Sequence, residues 1–164
     1  MTLDEFYEVL DEYIAQALSL PQMLGIPDRA LSTDIKDIDL LAIAIEKLHE
    51  LTLKGLLDDD TCWTWSVYTG TLLGEMIINE HGFHWAMYDE STPCVETDDN
   101  AKFFPITKMY KILKSDEDDW EGSPTAFYES GMAMLKYQAM TDEEKEKITV
   151  YIGEDDKEEL KNGY

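Results

Sequence analysis

Residues 58–88 decide the fold, and they read DDDTCWTWSVYTGTLLGEMIINEHGFHWAMY. The acidic residues at the start suit the N-terminus of a helix, and apolar residues then recur on one helical face as far as Asn79. His81 and Gly82 end this helix, after which Phe83–Tyr88 alternate with period two, as in a strand. A long helix followed directly by a strand indicates a domain that contains both helices and a sheet.

Short connections extend this strand into a small sheet. Turn-forming sequences at 89–93 and 98–100 separate it from two further extended segments, 94–97 and 102–105. Because connections this short join antiparallel neighbours, we expect an antiparallel meander of two or three strands.

Amphipathic helices are predicted on both sides of the sheet. Upstream, apolar residues at helical spacing predict helices over about 2–20 and 35–55, which we expect to pack as an antiparallel pair. Downstream, the pattern predicts a lysine-bearing helix after Pro105, a helix from Ser123 and a last helix from about Asp142. The predicted fold class is therefore α+β, mostly helical with a small antiparallel two- or three-stranded sheet.

The central helix carries two glycines, and aromatic residues lie within it and in the strand that follows. Gly70 and Gly74 remove side chains from one stripe of the helix, so we expect a neighbouring helix or strand to approach its backbone closely. The aromatic residues Trp63, Trp65, Trp85, Phe103 and Phe104 can line a pocket, although aromatic residues in a domain of helices on a sheet are more often core. Whether all three tryptophans are core stays open from the sequence.

Length and composition indicate one domain. The chain has 164 residues, 44% of them hydrophobic, and no linker rich in Ser, Gly or Pro. We assign 1–152 to a single α+β domain and 153–164 to a charged C-terminal tail. The first residues have neither the basic nor the apolar segment of a secretion signal, and no apolar run is long enough for a membrane span. We expect a cytoplasmic protein, and the sequence does not fix its oligomeric state.

Charge is the main guide to partners, because 36 Asp and Glu against 13 Lys and Arg give a formal net charge of −23. Such a surface repels phosphates and anionic lipids, so we expect no direct nucleic-acid or membrane binding, and it attracts basic proteins. Two acidic runs are the candidate contacts, with one tryptophan as a candidate aromatic anchor: Asp58, Asp59, Asp60, Asp116, Glu117, Asp118, Asp119 and Trp120. The alternative interpretation of either run is a solvated turn that keeps the protein soluble.

Motifs for catalysis or metal binding are not found in the sequence. His81 and His84 could be combined with Glu75 or Cys94, but no Cys-x-x-Cys or His-Glu-x-x-His spacing supports a zinc site. The acidic runs lack the spacing of a calcium loop, and no serine lies in Gly-x-Ser-x-Gly. Cys62 and Cys94 are expected to be reduced core thiols. We expect no enzymatic activity, no cofactor and no metal.

One resemblance rests on the segment 68–128. Its glycines and aromatic residues form four short patterns: Tyr-x-Gly-x-x-x-Gly-Glu at 68–75, Gly-x-x-Trp at 82–85, Phe-Pro at 104–105 and Ala-Phe-Tyr at 126–128. The segment covers about a third of the chain and resembles small, uncharacterised bacterial α+β domains, a group similar to the immunity proteins encoded beside polymorphic toxins. The resemblance implies a helix packed on a small sheet, structural roles for Gly70, Gly74, Glu75 and Trp85, and no catalytic residues.

The charge and the resemblance together favour a non-enzymatic inhibitor that binds a basic, nuclease-type bacterial toxin domain. A DNA mimic that inhibits a DNA-binding enzyme is an alternative, since Asp4, Glu8, Asp11 and Glu12 line one face of the first helix. Against it, the lysines between Lys102 and Lys114 interrupt a phosphate-like surface. An interaction scaffold without a charged target is the third reading, and an enzyme with an active site assembled from distant residues is the fourth. Steep salt dependence of binding would separate the first two from the scaffold.

Overall fold

The computed structural model describes residues 1–26, 29–116 and 122–147, and it has the predicted α+β architecture. Helices make up most of the described chain, together with one three-stranded antiparallel sheet. The boundary between the predicted domain and tail, and the tail itself at 153–164, lie outside the described residues.

The helices flank the sheet in sequence. They are α1 (Leu3–Leu18), α2 (Leu20–Met23), a 3-10 turn (Ile35–Asp37), α3 (Ile38–Leu53), α4 (Asp59–His81), α5 (Pro105–Lys114) and α6 (Pro124–Gln138). Residues 142–147 are also helical. The strands are β1 (His84–Met87), β2 (Pro93–Glu96) and β3 (Lys102–Phe103).

Side-chain caps fix the helix boundaries near their predicted positions. At α1, Thr2 and Glu5 form a reciprocal capping box, in which Glu5 N donates to Thr2 Oγ1 at 3.2 Å. At α4, the Asp58 carboxylate accepts from Thr61 N at 2.8 Å. Gly82 ends α4 with φ 72°, a left-handed conformation that favours glycine. These local signals explain why the sequence predicts α1 and α4 well.

The sheet buries one row of side chains across all three strands. Its order is β1-β2-β3, with Trp85 opposite Val95 and Val95 opposite Phe103. All three of these side chains are buried. The period-two pattern that predicts β1 therefore also assigns Trp85 correctly to the inner face.

Helix α4 lies at the centre of the packing. It contacts α1, α5 and the sheet, whereas α3 packs on α5 and α6. The sequence predicted that α1 and α3 pack as an antiparallel pair, and this prediction is wrong, because α1 packs mainly on α4. Three buried hydroxyls in α4 need no outside partner, since Ser66, Thr69 and Thr71 each donate to the carbonyl four residues earlier.

The two glycines of α4 have the predicted packing role. A Cβ atom on Gly70 would lie 2.7 Å from the backbone nitrogen of Ile106 in α5, and closer still to its Cα. A Cβ atom on Gly74 would lie 2.5 Å from Cζ2 of Trp85, whose Nε1 donates to Glu75 at 3.2 Å. The glycine stripe thus admits a helix at one position and an indole ring at the next, and the prediction of close approach is confirmed.

Candidate functional site

Helices α4 and α5 run antiparallel along a ladder of contacts. Gly70 lies against Ile106 in the first turn of α5, and Trp63 contacts Tyr110 edge-on with ring centroids 5.4 Å apart. At the far end, Asp59 Oδ1 lies 3.0 Å from Lys114 Nζ. The N-terminus of α4 therefore lies beside the C-terminus of α5.

This packing places Asp116, the first residue of the second predicted acidic run, at the same end of the α4–α5 pair as the first run. Asp58, Asp59 and Asp60 begin α4, and Asp116 follows two residues after Lys114, which is within about 7 Å along the chain. All four of these acids are exposed, and we call them the acidic end. The other predicted contacts, Glu117, Asp118, Asp119 and Trp120, lie outside the described residues.

The three acids that begin α4 have different local roles. Asp58 caps the helix, and hydrogen bonds from Thr61 hold the pKa of its carboxyl below the usual range. Asp59 accepts from the Tyr110 hydroxyl at 2.7 Å, and this bond, together with Lys114, lowers its pKa. The carbonyl oxygen of Asp60 accepts a hydrogen bond from the Thr64 hydroxyl at 2.9 Å. Part of the run thus has a structural role, while all three acids remain exposed.

A buried histidine fixes the start of the second acidic segment. His49 of α3 places Nε2 at 2.7 Å from the carbonyl oxygen of Ser115 and at 3.3 Å from its hydroxyl. Both residues are buried. Since Ser115 immediately precedes Asp116, this contact holds the exit of α5 against α3 and positions the acidic end.

The lysine-rich segment is partly used within the molecule. On the outer face of the sheet, Glu96 lies 3.2 Å from Lys102 Nζ and 3.3 Å from His84 Nε2. Lys114 pairs with Asp59. Lys102 and Lys114, the two ends of the basic patch seen in the sequence, are therefore each held by a carboxylate, which reduces the positive character of that patch.

An apolar groove lies beside the acidic end, between α1, α4 and the turn that joins β1 to β2. Its volume is about 340 Å³. We call it the aromatic groove and define it by six of its lining residues: Phe6, Tyr13, Trp63, Val67, Pro93 and Ile106. Met1 and the turn residues Ser91 and Thr92 complete the rim.

The three tryptophans, whose burial the sequence leaves open, differ in exposure. Trp85 is 3% exposed and belongs to the core, but Trp63 is 49% exposed at the groove and Trp65 is half-buried. Trp63 lies in the first turns of α4, where α5 contacts its ring through Tyr110 and leaves about half of the side chain exposed. Helical spacing alone placed Trp63 on the apolar face, and it did not show how far along that face the covering helices reach.

The histidines and cysteines considered as possible catalytic or metal-binding residues have other surroundings. His81 Nε2 lies 2.7 Å from the Tyr128 hydroxyl, and His84 pairs with Glu96 across the sheet. Cys94 is buried, and burial raises the pKa of its thiol, which disfavours the reactive thiolate. Within 1–26, 29–116 and 122–147, no group of three or more His, Cys, Asp or Glu side chains is arranged to hold a metal ion.

No family model matches the chain, and neither a curated protein nor a solved structure matches it significantly. In the described part of the chain, no helix has the length and apolar character needed to cross a membrane.

Proposed function

We propose that this chain is a non-enzymatic inhibitor that binds a basic protein, a nuclease-type toxin domain, through its acidic end. The observation that supports the proposal is the packing of α5 on α4, in which Lys114 and Tyr110 both contact Asp59, so that the exposed Asp116 follows α5 at the same end of the pair as Asp58, Asp59 and Asp60. These four exposed acids lie at the start of α4 and just after the end of α5, and they offer a basic partner a negatively charged surface.

The charge of the whole molecule supports the same proposal. A formal net charge of −23 attracts a basic partner over a distance of about one Debye length, roughly 8–10 Å at moderate salt. A nuclease needs a basic surface for phosphate, so an acidic protein that covers this surface competes with the substrate. Inhibition then requires tight, fast association and no chemistry on the inhibitor.

Capture from the host lysate at low salt, followed by a nuclease titration, tests the proposal. We expect a basic protein to be retained, to elute as salt is raised, and to lose its nuclease activity at one equivalent of the chain. Retention of no basic protein, or retention of one whose activity is unchanged by excess chain, would contradict the proposal.

A pair of matched variants locates the interface. Asp60→Asn removes one exposed charge from the acidic end without touching the cap at Asp58 or the ion pair at Asp59. The control, Glu129→Gln, removes one exposed charge from α6. Glu129 lies next to Tyr128, which forms a hydrogen bond with His81 at the far end of α4, about 31 Å along the helix from Asp60. We expect Asp60→Asn to slow association about two- to fivefold and Glu129→Gln to leave it unchanged.

A DNA mimic remains the second candidate because of the outer face of α1. Asp4, Glu8 and Glu12 are exposed there at intervals of four residues, about 6 Å along the helix axis. A target that binds these carboxylates in its DNA-binding site should be displaced from the chain by duplex DNA. The double variant Glu8→Gln with Glu12→Gln should bind such a target more weakly. In that case Asp60→Asn would have no effect, which separates the two candidates.

A further inference from the structure

The aromatic groove has an apolar floor and an acidic neighbour. Phe6 and Ile106 are buried at its base, while Trp63 at its edge exposes about half of its surface. Trp63 is therefore the lining residue whose aromatic ring is most available to a partner.

Trp63 is held in a fixed orientation beside carboxylates. Tyr110 packs edge-on against its ring and bonds the Asp59 carboxylate through its hydroxyl, so the three side chains form one connected unit. Asp59 and Asp60 precede Trp63 by four and three positions in α4, which places both on the same side of the helix as the indole. An exposed aromatic face next to carboxylates is a site for a cation.

We infer that the aromatic groove receives an arginine-bearing segment of the basic partner, with one guanidinium over the exposed face of Trp63 beside Asp60. The inference rests on the proposed function in one respect, namely that the partner is basic. Arginine fits better than lysine because its planar group stacks on an aromatic ring and pairs with a carboxylate at the same time. Its aliphatic stem can lie on the apolar floor.

Charge complementarity selects this occupant over a second copy of the chain. Two copies would bring together two molecules of net charge −23, and their mutual repulsion opposes pairing of the same groove. A basic segment gains from the same field. The groove and the acidic end would then act as one surface, with the acids giving attraction and Trp63 giving the anchor.

Binding of a fluorophore-labelled tri-arginine peptide to the full chain, measured by anisotropy at fixed salt, tests the inference. Trp63→Ala removes the ring, and Trp63→Leu keeps an apolar side chain but removes the aromatic face. Tyr88→Ala is the matched control, because Tyr88 is also exposed and aromatic but lies on Phe104, outside the groove. Circular dichroism establishes that each variant is folded.

We expect the parent to bind tri-arginine more tightly than tri-lysine, and both Trp63 variants to bind it about 3- to 30-fold more weakly. Tyr88→Ala should stay within about twofold of the parent. Parent-like affinity in Trp63→Leu, or equal losses in the Trp63 and Tyr88 variants, would overturn the inference. Concentration-dependent dimerisation that Trp63→Ala abolishes would also overturn it, since a second copy would then occupy the groove.

The two proposals fail in different ways. If a captured toxin binds the parent and Trp63→Leu equally well, the inference about the groove is wrong and the proposed function stands. If tri-arginine binds at Trp63 but no basic protein is captured or inhibited, the proposed function is wrong and the groove is still a cation-binding surface.

Discussion

Gly70→Ala is the substitution that most directly tests the contact on which the acidic end depends. The new methyl group would lie 2.7 Å from the backbone nitrogen of Ile106 and closer to its Cα, whereas carbon atoms in ordinary contact lie about 3.5–4.0 Å apart. Helix α5 must therefore retreat by about 1 Å. The neighbour is backbone and cannot rotate away, and α5 is fixed by buried residues such as Met109 and Ile112.

The expected loss of stability follows from two opposing effects. Overpacking a core costs up to about 3 kcal/mol, while replacing glycine by alanine in a helix gains about 1 kcal/mol. The net change in the free energy of unfolding should be a loss of about 2 kcal/mol, which for a chain of this size lowers Tm by about 4–8 °C.

Thermal and denaturant unfolding, followed by circular dichroism, measure this change. Ala133→Gly, at an exposed position of α6, is the control for helix propensity and should cost about 1 kcal/mol. A Gly70→Ala protein as stable as the parent, or more stable, would show that α5 does not press on α4 at this position. The account of how the acidic end is assembled would then be wrong.

Three further results are expected. Gly74→Ala should also lower the free energy of unfolding, and it should lower it by less in a Trp85→Leu background than in the parent. A double-mutant cycle in which the two losses simply add would contradict this. Asp37 is buried, and a hydrogen bond from Ser32 lowers the pKa of its carboxyl. The ionised carboxylate therefore stabilises the fold at pH values above the unfolded-state pKa of about 3.9, and this contribution is lost as pH falls below that value. Asp37→Asn should therefore be less stable than the parent at pH 7 by about 1–2 kcal/mol, and the difference should shrink as pH falls below about 3.9; a difference that does not change with pH would contradict this. Cys62 and Cys94 are both buried, so a thiol reagent should modify neither at a measurable rate until the chain is unfolded, and rapid labelling of the native protein would contradict their burial.

Local signals made much of the fold predictable. The capping box at Thr2, the cap at Asp58 and the left-handed glycine at position 82 each act within a few residues, so the sequence pattern contains them. The change from helical to alternating spacing after Gly82 identified β1 for the same reason. Gly70 and Gly74 also signalled close approach, since a missing side chain inside an amphipathic helix has a cost that packing must offset.

Long-range contacts made the candidate site less predictable. Asp116 follows α5 at the acidic end because Gly70 lets α5 lie against α4, and no local pattern shows which element fills that space. The same limit applies to Trp63, whose position on the apolar face of α4 is evident from spacing while its exposure depends on where α5 and α1 end. The Asp59–Tyr110 hydrogen bond joins residues 51 positions apart and has no signature in the sequence.

The association rate of the chain with the captured basic partner, measured as salt is raised from about 50 to about 500 mM, tests the central claim most directly. The account predicts a rate that falls by at least tenfold over this range, and a smaller fall for a variant in which Asp60 and Asp116 are both replaced by Asn. A rate that is independent of salt, or a salt dependence that the variant shares in full, would contradict binding through the acidic end.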